Sequence, residues 1–230
     1  MDKRFDGFTL AEVLITLVII GIIAAMTIPS LMNKTNEQET VVAVKKAYSV
    51  LGQAYQKMVA ENGEINPSTL GDSPVETFGD MFVKQLNVQK VCGTSTNEDC
   101  FSKENGGAYK YFEGTVWANM NSFSPLYKIR LNDGMSVAIY VGNVYESKGN
   151  SEALNNVYGY FCVDVNGDKG PNTLGKDTFC FHITKYGILA NGSPDDTGAP
   201  FSTCRTNGNG CTAWVVTKGN MDYLQKDVSW

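Results

Sequence analysis

A single histidine, His182, stands in the 230 residues of the chain. It lies between Phe181 and Ile183, in a strand-like apolar setting where a histidine reads as structural. One imidazole leaves little basis for histidine-driven acid–base or nucleophilic chemistry. No serine sits in a G-x-S-x-G elbow, and no glycine-rich loop has phosphate-binding spacing. C-x-x-C is absent, which together with the lone histidine argues against a zinc site. Positive charge is also scarce: 19 Lys and Arg face 24 Asp and Glu, for a net charge of −5. An acidic chain gives no electrostatic reason to bind nucleic acid. On these absences the chain reads as a non-enzyme.

One absence is local. From Phe8 to Ile28 there is no Lys, Arg or His, and the only formal charge is Glu12. At about 1.5 Å of rise per residue, a helix of this run spans the roughly 30 Å hydrocarbon core of a bilayer. Lys3 and Arg4 precede the run and only Lys34 follows closely, a bias that favours a cytoplasmic amino terminus and an exported carboxyl-terminal domain. A carboxylate in such a helix is costly and calls for a partner. The run supplies no cation, so the partner is the chain's own amino terminus or a group on another molecule. A secretory signal peptide has a shorter apolar core without an acid, and no convincing A-x-A site follows Ala24-Ala25. A plain single-pass anchor explains the hydrophobicity but not the joint occurrence of Gly7, Glu12 and Pro29.

Six cysteines occur, at Cys92, Cys100, Cys162, Cys180, Cys204 and Cys211. In an exported domain an even count reads as a disulfide framework whose connectivity the sequence does not fix. Short loops are cheaper to close, which favours the nearest-neighbour pairs Cys92–Cys100, Cys162–Cys180 and Cys204–Cys211. Oxidised cysteines leave no thiol nucleophile.

Beyond Pro29 the helical pattern continues. Val41, Val44, Tyr48, Leu51, Tyr55 and Met58 recur at steps of three and four, one face of an amphipathic helix. Asn62-Gly63 is a stop signal. The expected helix runs from about Phe8 to Glu61, on the order of 80 Å, with Pro29 able to kink it. A short second helix is expected over Pro74–Leu86. Strands are expected at Leu126–Leu131 and Met135–Val141 around Asn132-Asp133-Gly134, then at Tyr158–Val165 and Thr178–Thr184, with a further one near Ile188. Ile129 and Leu131 are assigned one face of the sheet, and Val137, Ile139 and Val141 another. Helices first and an antiparallel sheet afterwards make an α+β domain.

One polar stretch joins two strands, Asp164 to Asp177. Asp164, Asn166 and Asp168 have the one-three-five spacing of calcium loops, and Asp177 adds a fourth oxygen source. Lys169 stands where an EF-hand requires Gly, and Gly175 where it requires the bidentate Glu. The same composition also serves a plain connection in which Asn, Gly and Pro make turns. Ca²⁺ is the only cofactor the sequence suggests.

Gly7-Phe8-Thr9-Leu10-Ala11-Glu12, the apolar run containing Gly21, and Pro29 closing it resemble the amino-terminal segment of type IV prepilins and type II secretion pseudopilins. The resemblance implies that a membrane-embedded prepilin peptidase cuts between Gly7 and Phe8 and that the new amine of Phe8 is methylated. Glu12 then becomes the fifth residue of the mature chain. The implied fold is pilin-like: a long amino-terminal helix, transmembrane in its first half, packed on an antiparallel sheet and stapled by disulfides. The implied parts are a leader (1–7), a transmembrane and polymerisation helix (8–29), and an exported globular domain (30–230). The Asp164–Asp177 loop also resembles an Asp/Asn/Gly-Pro-Asn loop of some pseudopilin-like proteins, certain of which bind calcium. The implied function is that of a structural subunit of a type IV pilus or a type II secretion pseudopilus. Its implied partners are the prepilin peptidase, other pilin or pseudopilin subunits, inner-membrane assembly machinery and lipid. Its implied location is the bacterial inner membrane, then a periplasmic or surface filament. The alternative is a membrane-anchored exported binding domain or enzyme that never polymerises.

Overall fold

The computed structural model describes residues 8–230, as two units: one that ends at Glu39 and one from Thr40 to Trp230. Helix α1, Leu10–Asn62, carries Pro29 within it. In the first unit its apolar side chains, among them Leu14, Ile15, Leu17, Val18 and Ile22, are exposed. This helix is long and apolar enough to cross a membrane.

In the second unit the three-four stripe of α1 forms the spine of the core. Val41, Val44, Leu51, Tyr55 and Met58 are buried. Tyr48 stacks on Phe181 with ring centroids 5.8 Å apart and donates its hydroxyl to the Ile188 carbonyl at 3.3 Å. The helix stops where Gly63 adopts φ +79° and its N–H reaches the Val59 carbonyl at 2.8 Å, the left-handed cap that glycine takes without a Cβ clash.

Helix α2 spans Pro74–Val83, slightly shorter than expected from the sequence. Eight strands follow: β1 (Val88–Gly93), β2 (Ala108–Lys110), β3 (Val116–Asn119), β4 (Tyr127–Leu131), β5 (Ser136–Glu146), β6 (Val157–Asp164), β7 (Thr178–Thr184) and β8 (Gly187–Ala190). Six form an antiparallel sheet in the order β1-β4-β5-β6-β7-β8, and β2-β3 form a small second sheet. Helix α3 spans Thr212–Lys218 near the carboxyl terminus.

The expected hairpin around Asn132-Asp133-Gly134 is present, but its two faces need correction. Ile129 lies opposite Val137 and Tyr127 opposite Ile139. Directly opposed residues project to the same side of a sheet, so Ile129, Leu131, Val137, Ile139 and Val141 all enter one core against α1 and α2. In the same register Ile139, Phe161 and Phe181 cross the sheet in a row, each fully buried. Their neighbours Tyr140, Tyr160 and His182 make the adjacent row and, by the two-residue alternation of strands, point to the opposite face.

That outer face is roofed by the small sheet. Phe101, Tyr109, Ala118, Met120, Leu126 and Ala138 pack there as a second core. Lys128 is fully buried beneath it, donating Nζ to the Asn121 carbonyl at 2.9 Å, and burial lowers its pKa. Helix α2 lies close on β4 because Gly79 has no side chain: a Cβ there would come 2.4 Å from the Tyr127 ring. All three disulfides join the nearest-neighbour pairs, Cys92–Cys100, Cys162–Cys180 and Cys204–Cys211. Cys162 and Cys180 are directly opposed residues of β6 and β7.

Candidate functional site

The first candidate region opens α1. Thr9 precedes the first helical residue, and its side-chain oxygen accepts the Glu12 N–H at 3.3 Å. Glu12 Oε2 in turn accepts the Thr9 N–H and the Thr9 hydroxyl, both at 2.8 Å. This reciprocal arrangement is a capping box, which occupies amide donors that the first turn of a helix cannot bond internally. Glu12 therefore has an identifiable task within its own chain. Its carboxylate is turned toward the amino-terminal end of the helix, where the partial positive charge of the helix dipole lies. Gly21 has open space around the position of a Cβ. Gly7 lies outside the described residues.

The second region is the Asp164–Asp177 loop. Asp164 ends β6 and is fully buried. Its Oδ1 accepts the N–H groups of Asn166 at 3.1 Å and Gly167 at 3.0 Å, and its Oδ2 accepts the Tyr109 hydroxyl from β2. Asp177, also buried, accepts the N–H of Asn172 at 2.7 Å and of Thr173 at 2.6 Å. Asn166 touches both acids, since its Nδ2 also lies 3.4 Å from Asp177 Oδ2. Asp168 goes elsewhere: Arg130 from β4 grips it through two bonds of 2.8 and 2.6 Å. The structure thus brings Asp164, Asn166 and Asp177 together and leaves Asp168 out. Among the described residues no group of three or more His, Cys, Asp or Glu is placed to hold a metal ion. Tyr109 and Arg130 come from strands far away in sequence and carry no local signal. Asn172 also belongs to the loop: it is fully buried at φ 54°, and neither side-chain polar atom has a hydrogen-bond partner. The Asn166 Oδ1 is unpartnered too.

Burial raises the Asp164 pKa to about 7, and the nearby Asp177 charge adds to the rise against the Tyr109 bond. Burial raises that of Asp177 as well, opposed by the Thr173 and Asn172 amides. The Arg130 bonds hold Asp168 below the ordinary carboxylate range. Between about pH 4 and pH 7 the folded chain therefore keeps a proton on Asp164 that the unfolded chain has released. Stability should fall as pH rises through that window, by about 2–4 kcal/mol in all. Melting curves from pH 5 to 8, with chelator present, measure it. Asp164→Asn should make the fall shallower, leaving the part that Asp177 contributes, and a wild-type profile that is already flat would contradict the shift.

Residues 2–28 match the family model of the prokaryotic N-terminal methylation motif. This is the signature of type IV pilin and pseudopilin precursors. No curated protein and no solved structure matches the chain. The matched segment contains Gly7, Phe8, the Thr9–Glu12 capping box and the exposed apolar side chains from Leu10 to Ile28. The motif of a pilin-like precursor and its apolar helix are compatible with membrane anchoring and export. They also imply processing by a prepilin peptidase and assembly with other pilin subunits.

Proposed function

We propose that the chain is a structural subunit of a type IV pilus or a type II secretion pseudopilus, cut after Gly7, methylated on Phe8 and polymerised through its amino-terminal helix. The observation that carries this reading is the Thr9–Glu12 box at the head of an otherwise uncharged, exposed apolar surface. Cleavage would place a free amine one residue from the amide that Glu12 already holds. The apolar surface would rest in lipid before assembly and among neighbouring helices afterwards. Leaving the lipid is offset by burying the same side chains against other subunits. Gly21, Ala24 and Ala25 would permit close helix approach, as small residues do in membranes. Pro29 marks the end of the lipid-facing segment in this reading. The mechanism is assembly, with no reaction turned over by the chain itself. The inner-membrane assembly machinery would draw the processed subunit from the bilayer into a periplasmic or surface filament.

Intact-mass and peptide analysis of the mature protein tests the processing step. The expected chain begins at a methylated Phe8, and Gly7→Leu accumulates uncut precursor. Mature protein beginning at Met1 or beyond Ala25 defeats the proposal. A non-polymerising anchored domain would show no subunit in sheared filaments.

A second reading, calcium binding, is supported by the unpartnered oxygens of Asn166 and Asn172 beside two buried carboxylates. Ca²⁺ favours oxygen donors of this kind. The residues that would hold it are Asp164, Asp177, Asn166 and Asn172; Asp168 is committed to Arg130. The ion would supply the positive charge that the two acids lack. In chelator-treated full-length protein, saturating Ca²⁺ should raise the melting temperature by about 5–10 °C. Asp164→Asn should abolish the rise, and an unchanged wild-type curve removes the idea.

A further inference from the structure

The outer face of the main sheet holds a cleft of about 450 Å³ that lies away from the amino-terminal motif and shares only Leu174 with the polar loop. Its floor is the row formed by Tyr140, Tyr160 and His182, with the Cys162–Cys180 bridge beside it. Tyr140 and Tyr160 stack with centroids 5.1 Å apart and planes 24° from parallel. One wall is Trp117 from β3 with Tyr111, tilted against each other at 6.4 Å. Four aromatic side chains thus line one small space, and none of the four is fully buried.

Three amides complete the lining. Asn191, Asn207 and Asn209 all line the cleft. Asn191 is 3% exposed, and its Nδ2 donates to Asn209 Oδ1 at 3.0 Å. Its Oδ1 has no hydrogen-bond partner in the protein. That oxygen is buried, and a buried acceptor without a partner is an uncommon and costly feature. The wall is also built to keep its shape. The Cys204–Cys211 bridge encloses Asn207 and Asn209, and the Asn209 N–H donates to Asn207 Oδ1 at 2.8 Å. Between them Gly208 holds φ +84° where a Cβ would stand 2.2 Å from the Leu174 carbonyl oxygen. The remaining wall pins His182 through Nε2 to Asp196 Oδ2 at 2.9 Å, while Asp196 also accepts the N–H groups of Gly192, Gly198 and Ala199.

Charge narrows the ligand. Lys148 and Glu146 line the cleft as a pair, 2.6 Å apart, so their charges offset each other. Among the described lining residues no arginine offers a fork to a phosphate or carboxylate. What remains is a set of aromatic rings beside neutral amide side chains. A small-molecule site of this size is typically apolar with a few fixed polar groups. The ligand with an apolar C–H face and a rim of neutral hydroxyls is a sugar ring: the face lies on the aromatic side, the hydroxyls meet the amides. We propose that this cleft binds a neutral saccharide of one or two rings. It would give the exported domain a recognition function independent of how the amino-terminal helix is used.

The test is titration of the full-length protein, in a detergent without a sugar headgroup, with a panel of neutral mono- and disaccharides, followed by tryptophan fluorescence and by calorimetry. Sialylated and sulfated sugars form the charged arm, and adenosine forms the flat-heterocycle arm. At least one neutral sugar should bind saturably. Trp117→Ala should weaken it at least about tenfold, the loss expected for a stacking residue in a binding site. Asn209→Ala should weaken it comparably, and Trp214→Phe, outside the cleft, should leave it unchanged. Intact disulfides and an unshifted melting curve verify that each variant is folded. Where Trp117→Ala unfolds, Tyr140→Ala takes its place. The proposal is overturned if no neutral sugar binds, if adenosine or a charged sugar binds more tightly than every neutral one, or if folded cleft variants bind as well as the wild type.

Discussion

Replacing Asp177 by alanine should destabilise the unit from Thr40 to Trp230 by about 3–5 kcal/mol, among the larger effects a single side chain produces. Asp177 holds the second half of the loop between β6 and β7, as Asp164 holds the first. Its two oxygens accept the N–H groups of Asn172 and Thr173 and lie 3.4 Å from Asn166 Nδ2 and the Thr178 hydroxyl. Alanine leaves the two amides buried without acceptors, each worth about 1–3 kcal/mol of lost solvation. The raised pKa of Asp177 tempers the estimate, because a carboxylate held in a dry site has already given up part of its own stabilisation. The melting temperature should drop by about 6–15 °C. Asp177→Asn keeps the shape but offers only one acceptor oxygen to two amides, so it should fall between the wild type and alanine. A melting curve for Asp177→Ala within about 2 °C of the wild type would mean that the loop finds other partners for those amides.

This loop also shows what a linear sequence can and cannot disclose. Asp164, Asn166 and Asp168 have calcium-loop spacing, and spacing alone placed all three in one set. The structure gives Asp168 to Arg130, which arrives from β4 on the other side of a hairpin. It gives Asp164 to Tyr109, 55 residues away. Nothing in a local pattern encodes either partner. By contrast the three-four stripe of α1, the Asp-Gly hairpin and the cysteine pairs are local signals, and each was legible. Strand β1 was not, because only Cys92 in it is buried and no alternation results. The face assignment of the hairpin failed for a related reason: the parity of one strand against the next is fixed by register, which the turn sets and hydrophobicity alone does not. The aromatic cleft is assembled from segments scattered between Tyr111 and Asn209, so no window of the sequence contains it.

Glu12→Val should leave membrane insertion, cleavage and all three disulfides intact, yet reduce incorporation into filaments by about an order of magnitude or more, the scale expected when a charge in an apolar bundle decides register. The structure sharpens this expectation, because Glu12 has two separable contributions. One is the capping box with Thr9, a neutral geometric task that glutamine also performs. The other is its charge, the only one between Phe8 and Ile28. In a filament the charge can meet the amine of Phe8 on its own chain or on a neighbour. Attraction between two buried charges is offset by their desolvation, so pairing need not add net stability. Its consequence is positional: a subunit docked one turn too high or too low leaves an unpaired charge among apolar helices. Glu12→Gln keeps the cap and removes the charge, which makes it the deciding variant. If charge sets the register, Gln fails as Val does. If the cap alone matters, Gln assembles like the wild type and Val does not. Thr9→Ala gives the complementary case, with the charge kept and the reciprocal cap removed. Fractionation of membrane and sheared-filament pools for the four proteins separates these outcomes. Equal incorporation of wild type, Val and Gln would show that Glu12 does not guide docking at all.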